Sequence, residues 1–112
     1  MIESIMRDCL AAKLDVPVYT EYPESAPESF VLLTRTGGSG SLIKKATIAL
    51  QSYAGTLAKA AELNEKVKKA AEDSVQTDSI SRAELNSDYE FTDITKKRYR
   101  YQAVFDITYM EE

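Results

Sequence analysis

Apolar residues recur at helical spacing in two stretches of the chain, and both stretches predict amphipathic helices. The first predicts a helix over residues 2–14, with an apolar stripe of Ile2, Ile5, Met6, Cys9, Leu10 and Leu14. The second predicts a helix over residues 56–75, with an apolar face of Leu57, Ala60, Ala61, Leu63, Val67, Ala70, Ala71 and Val75. We interpret Lys66, Lys68 and Lys69 as the solvated side of the second helix.

Other stretches alternate apolar and polar residues or are rich in β-branched and aromatic residues, which predicts strands. The predicted strands cover residues 16–19, 30–36, 42–53, 79–85 and 98–109. A segment rich in proline and acids at 21–29 predicts a surface loop, and the glycine–serine run at 37–41 predicts the mobile tip of a hairpin. Residues 86–88 predict a turn, while residues 89–93 either continue a bent strand or lie in a loop.

The last predicted strand alternates over its whole length, so one face lies on the core and the other on water or a partner. The predicted core-facing residues are Tyr99, Tyr101, Ala103, Phe105, Ile107 and Tyr109. We therefore predict an α+β fold, in which a mostly antiparallel sheet of four or five strands carries two helices on one face, within a single domain of residues 1–112. The opposite sheet face is predicted to show Arg35, Lys45, Thr47, Gln51, Arg98, Arg100 and Thr108.

The residue types that most often perform acid–base or metal chemistry are scarce in this chain. It contains no histidine, which removes the commonest general base and metal ligand at neutral pH. The single cysteine, Cys9, lies within the first apolar stripe, so we expect a small core residue rather than a nucleophile. We therefore expect no enzyme activity, no metal and no cofactor, and we expect the chain to act by binding other proteins.

The net charge of −4 argues against nucleic-acid binding as the main activity, because phosphate contacts need a basic surface. A local basic cluster keeps that alternative open, and it consists of Lys96, Lys97, Arg98 and Arg100. Strand alternation places the neighbouring tyrosines on the face opposite the arginines, so we favour an acidic protein partner for this cluster. No apolar stretch is long enough to span a bilayer, and the acid-containing first eight residues do not match a signal peptide, so we expect folding in a reducing cytoplasm.

Two further motifs have a chemical alternative. The glycine-rich run at 37–41 lacks the Gly-Lys-Ser/Thr ending and the following helix of a phosphate-binding loop, so we interpret it as a flexible tip. The densest acidic group is formed by Glu84, Asp88, Glu90 and Asp93. Because its spacing matches no calcium loop, we interpret this group as a solvated acidic loop, with a hard-metal site as the alternative.

Several segments together resemble the tail terminator (tail completion) proteins of long-tailed bacteriophages. They are VPVYTEYP at 16–23 followed by residues 30–38, LQSYA at 50–54 leading into an alanine-rich helix, and RYRYQAVFDI at 98–107. The resemblance runs over most of the chain and consists of strand and turn patterns without a chemical signature. It implies a sheet flanked by helices, and a homo-oligomeric ring, expected to be a hexamer, on the end of the tail tube.

Such a ring stops tube polymerisation and offers a surface for joining the head, so the resemblance implies the tail tube protein and a head–tail connector protein as partners. It also implies a place in the virion tail after assembly in the host cytoplasm, with DNA passing through the ring lumen. A head–tail connector or neck subunit and a small nucleic-acid-binding regulator are the alternatives. The candidate protein-interface residues are Arg35, Gly37, Gly38, Ser39, Gly40, Ser41, Lys44, Lys45, Lys96, Lys97, Arg98 and Arg100.

Overall fold

The predicted helices and strands form with shifts mainly at their ends, in a computed structural model that describes residues 1–40, 42–95 and 98–110. In chain order the elements are helix α1 (Ile2–Lys13), strands β1 (Val18–Tyr19), β2 (Phe30–Ser39) and β3 (Lys44–Ala54), helix α2 (Leu57–Glu72), a 3₁₀ turn (Asp73–Gln76), and strands β4 (Ile80–Glu90) and β5 (Tyr99–Tyr109). The α+β class is confirmed. No helix in the described residues is long and apolar enough to cross a membrane.

The five strands form one sheet in the order β1-β2-β3-β5-β4. All neighbouring pairs are antiparallel except β1 with β2, which is parallel and short, since it aligns Val18 with Val31 and Tyr19 with Leu32. The hairpin β2–β3 and the hairpin β4–β5 therefore turn at opposite ends of the sheet. We name these the β2–β3 end, which includes residues 40, 42 and 43, and the β4–β5 end, which includes residues 91–95 and 98.

Both helices cover the same face of the sheet, as predicted, and one hydrophobic core lies between the two layers. Helix α1 contributes Ile2, Met6 and Leu10 to this core, and α2 contributes Val67 and its small neighbours Ala70 and Ala71. The central strands meet the helices with Ile48, Leu50, Ala103, Phe105 and Ile107. The alternation predicted for β5 is confirmed over residues 103–109, where every second side chain is buried.

Helix α2 begins where the sequence contains a capping residue. The Thr56 backbone is extended, and its Oγ1 accepts a hydrogen bond from the Lys59 backbone N–H at 3.1 Å, which satisfies one of the free donors of the first turn. The helix ends at Glu72, earlier than predicted, because residues 73–76 tighten into a 3₁₀ turn. The apolar position Val75 therefore lies outside the helix and is exposed.

The predicted loop at 37–41 is wrong for its first three residues. Gly37, Gly38 and Ser39 continue β2 and pair with β3 at Thr47, Ala46 and Lys45. Gly40 follows with a φ of +106°, a conformation that favours glycine. Ser41 lies outside the described residues.

The predicted turn at 86–88 is also wrong, because β4 runs without interruption to Glu90. Strands β2 and β4 instead contain β-bulges, where two residues of the bulged strand face one residue of the partner strand. The extra residues are Thr36 in β2, and Ser81 and Asn86 in β4. Thr36 lies beyond the stretch of β2 that β1 covers, so all three bulges occur where the sheet has an open edge.

Candidate protein-interaction surface

The structure separates the predicted interface residues into two groups at opposite ends of the sheet. Gly40, Lys44 and Lys45 lie at the β2–β3 end, while Arg98 and Arg100 lie at the β4–β5 end. Lys45 aligns with Thr108 and Tyr53 aligns with Arg100, so eight residues of β3, or about 27 Å, separate the two groups. Lys96 and Lys97 lie outside the described residues. The predicted residues therefore do not form one continuous surface.

Arg35 was predicted on the sheet face opposite the helices, and the structure places it on the helix side. It aligns with the core residue Ile48, and its Nε lies 3.6 Å from the Glu3 carboxylate of α1. The four consecutive apolar residues at 30–33 hide the alternation of this strand in the sequence. Phe30 and Leu32 face away from the helices, whereas Val31, Leu33 and Arg35 face toward them.

The face without helices, which we call the open face, carries a chain of hydrogen-bonded side chains near the β4–β5 end. Arg100 Nη1 donates to Tyr53 Oη at 2.8 Å, and Tyr53 Oη donates to Gln51 Oε1 at 3.1 Å. Gln51 Nε2 then donates to Gln102 Oε1 at 2.8 Å, and Gln102 Nε2 donates to Tyr89 Oη. Each of Tyr53, Gln51 and Gln102 accepts one bond of this chain and donates the next, an arrangement in which each bond polarises the next.

Aromatic rings and arginines pack together beside this chain. The Phe30 and Tyr53 rings are stacked with centroids 4.4 Å apart. The Arg98 guanidinium lies 5.5 Å from the Phe30 centroid and 5.6 Å from that of Tyr53, and the Arg100 guanidinium lies 4.3 Å from the centroid of Phe91. We name Phe30, Tyr53, Phe91, Arg98 and Arg100 the aromatic–arginine cluster. Cation–π contacts of this kind hold both guanidinium groups in fixed positions.

Neither arginine of the cluster is paired with a carboxylate in the described part of the chain. Arg98 Nη2 donates to the Pro27 carbonyl at 3.1 Å, and its buried Nε has no hydrogen-bond partner among the described residues. Arg100 Nε donates to the Phe91 carbonyl. An unsatisfied buried N–H costs about 1–3 kcal/mol. The cluster therefore keeps two positive charges next to apolar rings without neutralising them.

The middle and the β2–β3 end of the open face are polar, and several of their side chains are bonded to one another. Asp106 accepts hydrogen bonds from Thr47 Oγ1 at 3.1 Å and from Asn86 Nδ2 at 2.9 Å. Arg82 forms an exposed ion pair with Glu84. Such an exposed pair contributes little to stability.

Large apolar side chains are exposed at both ends of the molecule, which measures 42 × 24 × 24 Å. At the β2–β3 end Leu42 is 83% exposed and Ile43 is 62% exposed. At the β4–β5 end Ile94 is 86% exposed. The sequence pattern predicts Leu42 and Ile43 inside a strand, which is wrong because β3 begins at Lys44. Their position next to the glycine run was the available sign that they belong to a turn.

The acidic group proposed from the sequence is divided between the two faces of β4. Glu84 aligns with Asp106 on the open face, whereas Asp88 aligns with the core residue Ala103 on the helix side. Asp88 accepts hydrogen bonds from Lys68 Nζ at 2.6 Å and from the buried Asn64 Nδ2 at 2.7 Å. Within the described ranges, no group of three or more His, Cys, Asp or Glu side chains is arranged to hold a metal ion.

Lys68 was interpreted as part of a solvated helix face, and its contacts with Asp88 and Glu65 correct that interpretation. Hydrogen bonds to these two carboxylates raise the pKa of Lys68. Partial burial disfavours the charged form of Asp88, but the hydrogen bonds from Lys68 and Asn64 outweigh it and hold the pKa of Asp88 below its ordinary value. The pair is thus a structural link between α2 and β4.

Cys9 was predicted to be a core residue and is only partly buried. Its Sγ lies 3.2 Å from Thr77 Oγ1, beside the end of the 3₁₀ turn.

A comparison with protein-family models gave no match to the chain, and neither did a comparison with curated proteins.

Proposed function

We propose that the chain is a structural tail protein of a phage or prophage, which forms a ring on the end of the tail tube, stops tube polymerisation and provides the surface for head joining. The observation that carries the proposal is the exposure of large apolar side chains at both ends of an elongated subunit, at Leu42 and Ile43 on one end and Ile94 on the other. Exposed apolar side chains that are grouped on a surface are typical of sites that contact other proteins.

The two ends suit the two tasks of a terminator, because one ring face meets the tube and the other meets the head. The β2–β3 end carries Lys44 and Lys45 beside its apolar tip, and we assign this end to the tube. The β4–β5 end carries the aromatic–arginine cluster beside Ile94, and we assign it to the head side. The absence of histidine from the chain fits a role that depends on contacts rather than on acid–base chemistry.

The proposal is tested by polymerising purified tube protein with and without the chain and measuring tube lengths by negative-stain microscopy. The wild-type chain is expected to shorten the tubes and to appear as a ring at one tube end. The double variant Leu42→Ser/Ile43→Ser is expected to leave tube length unchanged. Leu85→Ser is the matched control, because Leu85 is 46% exposed and lies in the middle of β4, away from both ends.

Circular dichroism confirms that the variants are folded, and mass photometry measures the ring. Six copies of the 12.5 kDa chain give about 75 kDa. Normal tube lengths in the presence of the wild-type chain, with no ring on any tube, contradict the terminator proposal. A chain that binds a head connector but leaves tube length unchanged supports the connector or neck alternative, which the same two apolar ends also fit.

A further inference from the structure

The two arginines of the aromatic–arginine cluster are positioned by their neighbours and carry N–H donors that could bind an anion. Ring contacts fix the Arg98 and Arg100 guanidinium groups, and the Pro27 and Phe91 carbonyls each accept one of their hydrogen bonds. With the bond from Arg100 to Tyr53 added, the described residues occupy three of the N–H donors of this pair, and each guanidinium has about five donors. Most donors of the pair therefore have no hydrogen-bond partner among the described residues, and of these the Arg98 Nε is itself buried.

We propose that Arg98 and Arg100 bind a carboxylate carried by an acidic segment of a partner protein. The planar guanidinium matches a carboxylate through two parallel N–H···O bonds, and the rings reduce the freedom that each arginine loses on binding. The site deepens the proposed function by naming the chemistry of one partner, and it rests on that function only for the partner's identity.

Two observations favour a protein carboxylate over the phosphates of a nucleic acid. The Phe30 and Tyr53 rings are buried and already stacked on each other, so they offer no free face to a base. The net charge of −4 disfavours a nucleic acid, because phosphate contacts need a basic surface.

The test uses the full chain and a hexaglutamate peptide that is blocked at both termini. The arginine Nε–H resonances are followed by ¹⁵N NMR during titration with this peptide. The Arg98 and Arg100 signals are expected to shift in a saturable manner, whereas those of Arg35 and Arg82, which already contact Glu3 and Glu84, are expected to stay in place. This measurement needs no substitution, so it is independent of any folding defect in a variant.

Variants then test which groups carry the binding. Arg100→Gln is expected to weaken hexaglutamate binding at least about tenfold, since it removes a charge-assisted contact. Arg98→Lys keeps the positive charge and loses the planar set of N–H donors of the guanidinium, and it is expected to weaken hexaglutamate binding by a smaller factor. Arg82→Gln is the matched control on the same sheet face and is expected to bind hexaglutamate as the wild type does.

Three results overturn the proposal. The first is the absence of a saturable shift at Arg98 and Arg100, and the second is an equal loss of affinity in Arg100→Gln and Arg82→Gln. The third is tighter binding of hexathymidylate than of hexaglutamate at the same ionic strength, which would make the cluster a nucleic-acid site. None of these results depends on tube protein, so a failure here is distinguishable from a failure of the terminator proposal.

Discussion

Asp88→Ala is expected to be among the more destabilising substitutions outside the hydrophobic core. Asp88 is the acceptor for both Lys68 Nζ and the buried Asn64 Nδ2. Its removal leaves the Asn64 Nδ2 donor without a hydrogen-bond partner among the described residues. The Asn64 Oδ1 has no such partner in the wild type either. A lost hydrogen bond to a charged group costs about 1.5–3 kcal/mol, and an unsatisfied buried donor costs about 1–3 kcal/mol. Because these costs overlap, we expect a loss of about 3 kcal/mol in the free energy of unfolding.

The measurement is equilibrium unfolding in urea, followed by far-ultraviolet circular dichroism. Asp88→Asn keeps an acceptor for Asn64 and loses only the ion pair, so its expected loss is about 1 kcal/mol. Glu84→Gln removes an exposed ion pair from the same strand, and its expected loss is below about 0.5 kcal/mol. If Asp88→Ala unfolds within 0.5 kcal/mol of the wild type, or if Glu84→Gln costs as much, the link between α2 and β4 does not contribute as described.

The same pair predicts a dependence of stability on pH. The pKa of Asp88 is lowered from its ordinary 3.8, so its contribution is present above pH 3.8 and is lost as the pH falls through the lower folded-state pKa. The pKa of Lys68 is raised above its ordinary 10.5, so its contribution is present below pH 10.5 and is lost as the pH rises through the folded-state pKa. The stability difference between the wild type and Asp88→Asn is therefore expected to shrink below pH 3.8, and a constant difference down to pH 2 would contradict this assignment.

Three further substitutions have defined outcomes in the same unfolding assay. Gly40→Ala is expected to cost about 1–2 kcal/mol, because φ is +106° and the new Cβ would meet the Ile43 carbonyl; a neutral result would show that the tip adopts another conformation. Thr56→Ala is expected to cost about 1 kcal/mol through loss of the cap on the Lys59 N–H, whereas Thr56→Ser should be nearly neutral. Phe30→Ala removes a fully buried ring on the open face and is expected to cost about 3–5 kcal/mol, so a cost below 1 kcal/mol would mean that this face is not packed there.

The layers of the fold could be predicted from the sequence because each depends on a local period. The stripe that contains Ile2, Met6 and Leu10 and the alternation through Ala103 and Phe105 are visible without any tertiary information, and both are confirmed. Each pattern specifies which side chains share a face, and burying those faces against each other determines two helices on one side of a sheet.

The predictions of a loop at 37–41 and of a turn at 86–88 are wrong where contacts between residues far apart in the chain determine the conformation. Gly37 and Gly38 favour a loop on their own, but β3 continues beside them and supplies strand partners. Asn86 and Asp88 are typical turn residues, yet Asn86 occupies a bulge and donates to Asp106, and Asp88 is bound from α2. The aromatic–arginine cluster joins three separate segments of the chain, so no local pattern indicates that the arginines stack on Phe30 and Tyr53.

The bulges of β2 and β4 have a consequence for how the protein behaves at high concentration. A regular open strand offers a template on which further copies add without limit, and bulged, charged edges prevent that addition. Thr36, Ser81 and Asn86 each interrupt the spacing that an incoming strand would have to match. We therefore expect the protein at high concentration to stay dispersed rather than to grow into fibres, which leaves the two ends of the molecule for the contacts proposed above.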